Sequence, residues 1–381
     1  MEKSDSGGKM PAAIDKKDKK DMNRIIEIEQ KVYSGERLTR QDGIELYNCD
    51  DLLLLGLMAR SVKNKKTGDY IFFNVNRHIN MTNVCVNACK FCAFNTKRVN
   101  DPNAYTMTLE EILEKAMEAP GMGATELHIV SGCHPDMPFE YYLDAIKECH
   151  KAVPNVHIQA FTAVEIDYFS QITGTTVREV LKRLKEAGLG SMPGGGAEIF
   201  SSRVRNKICN KKASGDRWLE VARTAHELGI RSNATMLYGH VETYEERIDH
   251  LIRLRELQDV TGGFQSFIPL PFHPGNTELT HIRRTTAFDE MKTYSISRLM
   301  LDNFDHVKAF WIMVGLKVAQ LSLDFGTDDL DGTVVEEKIT HAAGATTGES
   351  ISKEELIALI KDAGRVPVER DTLYNIIKVY E

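Results

Sequence analysis

Cys85, Cys89 and Cys92 lie within eight positions and form the pattern C-x3-C-x2-C, with Phe91 directly before the last thiol. Soft thiolates on one short loop bind zinc or an iron–sulfur cluster. A structural zinc takes four protein ligands, yet no second C-x2-C pair follows. Cys133, Cys149 and Cys209 stand apart, and Cys149 falls in an amphipathic helical stretch that suits a buried thiol. If the trio holds four irons, one iron has no protein ligand, and that open position points to chemistry rather than electron storage. Zinc held by the trio and a distant ligand such as Cys133, in a non-enzymatic scaffold, is the competing reading. Further along, Gly194-Gly195-Gly196 lacks the Lys-Ser or Lys-Thr of a phosphate loop, so these glycines are read as admitting close backbone approach by a ligand. His240 and Glu242 are candidates for substrate contact or proton transfer, with satisfied core polar groups as the alternative. His240-Val241-Glu242 lacks the rest of a zinc-deaminase signature, and Asp324-Phe325-Gly326 lacks the rest of a kinase set.

These residues must be positioned by a regular alternation of elements. β-rich runs near 77–82, 126–130, 156–161, 189–192, 230–237, 264–269, 309–314 and 321–325 alternate with amphipathic stretches, the pattern of parallel strands joined by crossover helices. Thr108 with Glu111, Thr176 with Glu179, and Thr243 with Glu246 match the capping box at helix starts, while Gly188 and Gly229 supply stops. Eight units of this size predict an α/β fold, a (β/α)8 TIM-type barrel with an N-terminal helical lead-in; a doubly wound open sheet has similar periodicity. The barrel is favoured because the unusual residues follow successive strands, and such loops converge on one mouth. The expected boundaries are a flexible polar tail over 1–23, a lead-in over 24–69, the barrel over 70–335, and a C-terminal helical segment over 336–381 closing it.

The chain has 381 residues, 42% hydrophobic and 27% charged, so it can bury a core without crosslinks or metals. A net charge of −7, from 48 basic and 55 acidic residues, with no extended basic run, argues against nucleic acid as a partner. Apolar runs such as Leu52–Met58 fall well short of the roughly 20 residues a membrane span needs. Seven cysteines, three of them clustered, fit a reducing, cytoplasmic setting. Monomer and homodimer both stay open.

A C-x3-C-x-aromatic-C pattern after the first strand of a βα-repeat chain resembles the radical S-adenosylmethionine (SAM) superfamily. The segments 80–85, 126–130, 160–166, 193–200, 234–240, 262–265 and 328–333 are similar to the aminofutalosine synthase family of the futalosine menaquinone pathway. The resemblance covers roughly Gly35 to the C-terminus. It implies a transferase with a [4Fe-4S] cluster on Cys85, Cys89 and Cys92. SAM would be consumed as co-substrate, and flavodoxin or ferredoxin would be the electron donor. The small-molecule aromatic carboxylate substrate would be 3-[(1-carboxyvinyl)oxy]benzoate. Ser131 and Gly132 would receive the SAM amino group, with serine replacing the family's first glycine. Glu198 would contact SAM, Arg205 and Lys212 would meet its carboxylate, and Phe91, Thr162 and Gly195 would complete the cofactor site. Phe161 is read first as barrel packing. The dehypoxanthine futalosine cyclases and deazaflavin-cofactor synthases are the rival families within the superfamily.

Overall fold

The computed structural model of the chain describes residues 16–348 and 350–381. Of the tail expected over 1–23, residues 1–15 lie outside the described ones, and the helix Lys16–Ser34 opens inside the remainder. Helices Arg40–Asn48 and Leu52–Thr67 complete the lead-in. The strands are β1 (Tyr70–Asn74), β2 (Asn76–Asn80), β3 (Glu126–Val130), β4 (His157–Ala160), β5 (Ser191–Met192), β6 (Arg231–Tyr238), β7 (Phe264–Pro271), β8 (His306–Val307), β9 (Asp329–Gly332), β10 (Val366–Arg370) and β11 (Ile376–Val379).

Strands β2 to β8 form one parallel sheet in chain order. Parallel bridges Lys308↔Asp329 and Arg77↔Val335 connect its two edges to the segment that starts as β9, and the His78 amide donates to Val335 O at 3.1 Å. The segment Asp329–Val335 is therefore the eighth stave, and the molecule is the (β/α)8 barrel expected. Helix starts follow the capping chemistry: Thr108–Glu111 and Thr243–Glu246 form reciprocal boxes, whereas Thr176 accepts from the Glu179 amide without the return bond.

Two expected strands are corrected. Residues 309–314 and 321–325 lie mostly in helices Trp311–Val314 and Leu316–Ser322 and the turn that follows. A short apolar run satisfies a buried helix as well as a strand, and here Trp311, Ile312, Ala319 and Leu323 pack into a second apolar cluster. The backbone ladder passes instead to Ala309, whose amide donates to Asp329 O at 2.8 Å. The C-terminal segment, expected to be helical, is also corrected. Besides helices Ile339–Ala342 and Lys353–Asp362 it carries β10 and β11. The β-branched runs pair with the strand that follows the lead-in: a second sheet runs β11-β10-β1-β9, with β10 parallel to β1 and antiparallel to β11. Among the described residues no helix is long and apolar enough to cross a membrane.

Candidate active site

The loop leaving β2 carries the three cysteines, and neighbouring carbonyls fix its path. The Cys85 amide donates to Thr96 O at 3.0 Å, the Val86 amide to Cys133 O at 3.0 Å, and the Lys90 amide to Ile208 O at 2.8 Å. Asn95 Nδ2 ties the loop back on itself at Cys92 O, 2.7 Å away, and Ala88 takes a left-handed φ of 47° between the first two thiols. Cys85, Cys89 and Cys92 all line one cavity of about 360 Å³ at the barrel mouth. The neighbouring Cys133 thiol pushes the Cys85 thiol down to about 6 against the opposing effect of burial. Burial pushes the Cys89 thiol up.

Among the described residues, no three His, Cys, Asp or Glu side chains converge as ligands of a single metal ion. A mononuclear zinc site needs that convergence. A four-iron cluster does not, because each thiolate takes a different iron. The donor set of three cavity-facing thiols on one clamped loop thus fits a cluster.

The opposite wall is built from loops after β3, β4 and β5. Glu165, buried, accepts the Ser131 amide at 2.7 Å and the Thr162 amide at 2.7 Å, joining two strand ends through one carboxylate. Burial raises its pKa to about 7 while the amides of Thr162 and Ser131 pull the other way. Ser131 is not among the residues with positive φ, so serine sits there without strain where the resemblance expects glycine. Gly132 is different: a Cβ would collide with the Val84 carbonyl oxygen on the cysteine loop. The Gly132 amide donates to Thr82 O at 2.9 Å, packing this turn directly on the loop. Thr162 caps helix Ala163–Thr173, and both Thr162 and Gly195 line the cavity.

Beyond β5, Gly194 lies so close to Ala234 backbone atoms that a Cβ would approach them to 2.8 Å. The chain then takes φ 85° at Gly196 and φ 49° at Glu198, which turns the Glu198 carboxylate into the cavity. Lys212 Nζ donates to Glu198 Oε1 at 2.5 Å and lies 5.2 Å from the centre of the Phe91 ring. Burial disfavours the Lys212 charge, but Glu198 and the thiols of Cys89 and Cys209 outweigh it and hold its pKa above the ordinary lysine value.

Three expected site residues face elsewhere. Arg205 is buried, donates to Ala197 O at 2.6 Å and also to Ala213 O, and is absent from the cavity wall. Its guanidinium satisfies backbone carbonyls of the Glu198 loop, so it positions that loop rather than meeting a ligand. His240 and Glu242 are also off the wall. Glu242 accepts the Gly239 amide at 2.5 Å, the His240 amide at 2.9 Å and Arg247 Nε at 2.9 Å, while His240 Nε2 lies 2.9 Å from Leu237 O. Both are consumed in holding the turn after β6. Phe161, φ 58°, packs edge-on against Phe169 at 5.1 Å.

The sequence reading missed the residues inside the staves. His78, His128, Gln159, Asn233, Lys308 and Asp331 line the lower cavity. His78 and His128 are in register on β2 and β3, with rings stacked 4.5 Å apart at 10°. Polar side chains at alternate positions of runs read as fully buried strands were the available signal.

Fold and site together define a barrel enzyme with a three-cysteine cluster loop. Residues 79–254 match the Radical SAM superfamily, and residues 261–381 match the CofH/MqnC C-terminal region. An aminodeoxyfutalosine synthase of Thermus thermophilus is 48% identical over 94% of this chain and 97% of its own length. Another from Streptomyces coelicolor is 47% identical over 93% and 94%. A 5-amino-6-(D-ribitylamino)uracil–L-tyrosine 4-hydroxyphenyl transferase of Methanopyrus kandleri is 42% identical over 84% and 88%. Among solved structures, methylornithine synthase superposes with a TM-score of 0.71 at 20% identity, covering 89% of this chain and 97% of its own, a likeness of fold. The chain belongs to the radical SAM superfamily. It is an enzyme, and membership implies a four-iron cluster and SAM.

Proposed function

We propose that this enzyme joins the adenosyl group of SAM to 3-[(1-carboxyvinyl)oxy]benzoate, with aryl migration and loss of one carboxylate as carbon dioxide, to give aminofutalosine. The observation that carries the reading is the near-full-length likeness to two aminodeoxyfutalosine synthases. When bound, the cluster and SAM supply a 5'-deoxyadenosyl radical, with the electron coming from a flavodoxin or ferredoxin of the cytoplasm.

The chain's own residues do the rest. Cys85, Cys89 and Cys92 hold the cluster. The turns at Ser131-Gly132 and Gly194–Glu198, braced by Glu165 and Arg205, receive SAM, with Glu198 and Lys212 as the polar partners of its amino and carboxylate groups. Val130, Leu237, Ile268, Leu270, Phe272 and Phe310 give the same cavity an apolar wall, which keeps water from a primary radical.

A second reading, tyrosine-directed chemistry as named for the Methanopyrus kandleri relative, is favoured by 42% identity and the CofH/MqnC match. The experiment is anaerobic incubation of reduced, iron-loaded protein with SAM and either the enolpyruvyl benzoate or L-tyrosine together with 5-amino-6-(D-ribitylamino)uracil. An adenosyl adduct from the enolpyruvyl benzoate is expected. Deoxyadenosine alone from that substrate, together with turnover of tyrosine, overturns the proposal in favour of the second reading.

A further inference from the structure

The interior of a (β/α)8 barrel is ordinarily filled by branched apolar side chains, but one arc of this barrel is polar. Going round from β3 through β2 and the closing segment to β8, the cavity floor presents His128, His78, Asp331 and Lys308. These side chains come from adjacent staves and lie on the strands, below the rim loops that carry Cys85, Ser131 and Thr162. His128 precedes Ser131 by three residues on one stave, so the floor sits roughly 7–10 Å beneath the rim.

The floor is built but not self-satisfied. His78 is 6% exposed, lines the cavity, and its Nε2 has no hydrogen-bond partner. Buried polar atoms normally find one. Stacking on His128 engages the ring faces and leaves the nitrogen-bearing edges to other partners. Lys308, 5% exposed, donates to Asp331 Oδ1 at 2.7 Å. An ammonium has three N–H donors, so the ion pair uses only part of its capacity.

We infer that this floor is the subsite for the ring carboxylate of an aryl diacid, with His78, His128 and Lys308 as its hydrogen-bond donors. The inference rests on the proposed function, and the geometry of that substrate selects the carboxylate. The terminal vinyl carbon must lie at the rim, next to SAM, and the enolpyruvyl carboxylate on the adjacent carbon stays near it. The ring carboxylate projects from the far side of the arene, toward the depth at which the floor donors lie. Lys212 at the rim is assigned to the SAM carboxylate, whereas the floor holds an imidazole edge without a partner.

The test compares the diacid with 2-phenoxyacrylate, which differs only in lacking the ring carboxylate, in the iron-loaded enzyme with SAM. For the wild type, loss of that carboxylate is expected to raise KM about 10- to 100-fold, the range for a charge-assisted hydrogen-bonded group. His78→Phe keeps a ring stacked on His128 and removes both nitrogens. It should raise KM for the diacid about tenfold or more while leaving 2-phenoxyacrylate within about threefold of wild type, with SAM affinity unchanged. His128→Phe is measured in parallel, so that failure of one variant to fold still leaves the other. Equal KM values of the wild type for the two compounds, or equal loss on both compounds in the variants, overturns the subsite. If the wild type turns over tyrosine and neither acid, it is the proposed function that has failed, and the subsite assignment goes with it.

Discussion

Removal of the Lys212 ammonium tests whether the cation at the cavity rim is coupled to Glu198 as the geometry requires. The two groups meet at 2.5 Å with side chains only 12% and 8% exposed. Lys212→Met therefore leaves a carboxylate with little water and no counter-ion. Breaking a buried ion pair from one side costs about 3–5 kcal/mol, and because this pair faces a cavity the lower end, about 3 kcal/mol, applies. For 381 residues the unfolding entropy is about 0.8 kcal/mol/K, so the melting temperature should fall by about 4 °C. Lys212→Met combined with Glu198→Gln removes both charges and should recover most of that loss, because replacing a buried pair outright is close to neutral. Calorimetry of the four proteins in one buffer gives the coupling directly. A double variant that loses as much as the two single variants together refutes the reasoning. A separate variant, Glu198→Ala, titrated with SAM, should show affinity falling about tenfold or more; undiminished affinity removes Glu198 from the SAM site.

Cys89→Ala should lose bound iron and all turnover while circular dichroism keeps the barrel signature; wholesale unfolding would instead indicate a structural metal. Gly132→Ala, which drives a methyl into the Val84 carbonyl, should reduce both stability and iron loading, whereas Ser131→Gly should change stability by about 1 kcal/mol or less. Equal effects of these two substitutions in urea melts and iron assays would contradict the packing described. Glu165 has its pKa raised from 4.5 to about 7, chiefly by burial. Its contribution to stability is complete below pH 4.5 and lost as pH rises through 7. Relative to Glu165→Gln, wild-type stability should decline by about 3 kcal/mol across that window, and parallel pH profiles would rule the shift out.

Much of the architecture was legible because local signals agreed with the fold. Strand Glu126–Val130 and the boxes opening at Thr108 and Thr243 stand where periodicity and capping chemistry place them. The eighth stave was not legible. Asp-Leu-Asp-Gly at 329–332 has poor strand propensity, yet this region becomes a buried stave because each carboxylate finds a cation from a distant segment. Asp328 meets Arg298 at 2.5 Å, Asp329 meets Arg370 at 2.6 Å, and Asp331 meets Lys308 at 2.7 Å. None of these partners is visible to a local window, whereas the apolar stretch at 309–325 offers a strand-like pattern that tertiary packing turns into helices.

Legibility of the site divides along the same physical line. The cysteine trio could be read because its chemistry depends on spacing within one loop. His240 and Glu242 misled because a polar pair after a strand looks identical in sequence whether it faces the mouth or closes its own turn. Glu242 shows which: with the amides of Gly239 and His240 and the Arg247 guanidinium all donating to it, burial is compensated and no ligand is needed. His78 is the opposite case. It occupies a fully buried strand where an apolar residue would pack at no polar cost, and the fold leaves one of its nitrogens unpaired. Leaving a buried donor or acceptor unmatched is unfavourable by more than a typical hydrogen bond is favourable, and His78, unlike the partnerless Arg205 Nε and Tyr238 hydroxyl, lines the cavity, where a ligand can reach it. An unpaired nitrogen together with a place on the cavity wall, rather than position at a strand end, distinguishes His78 from Glu242.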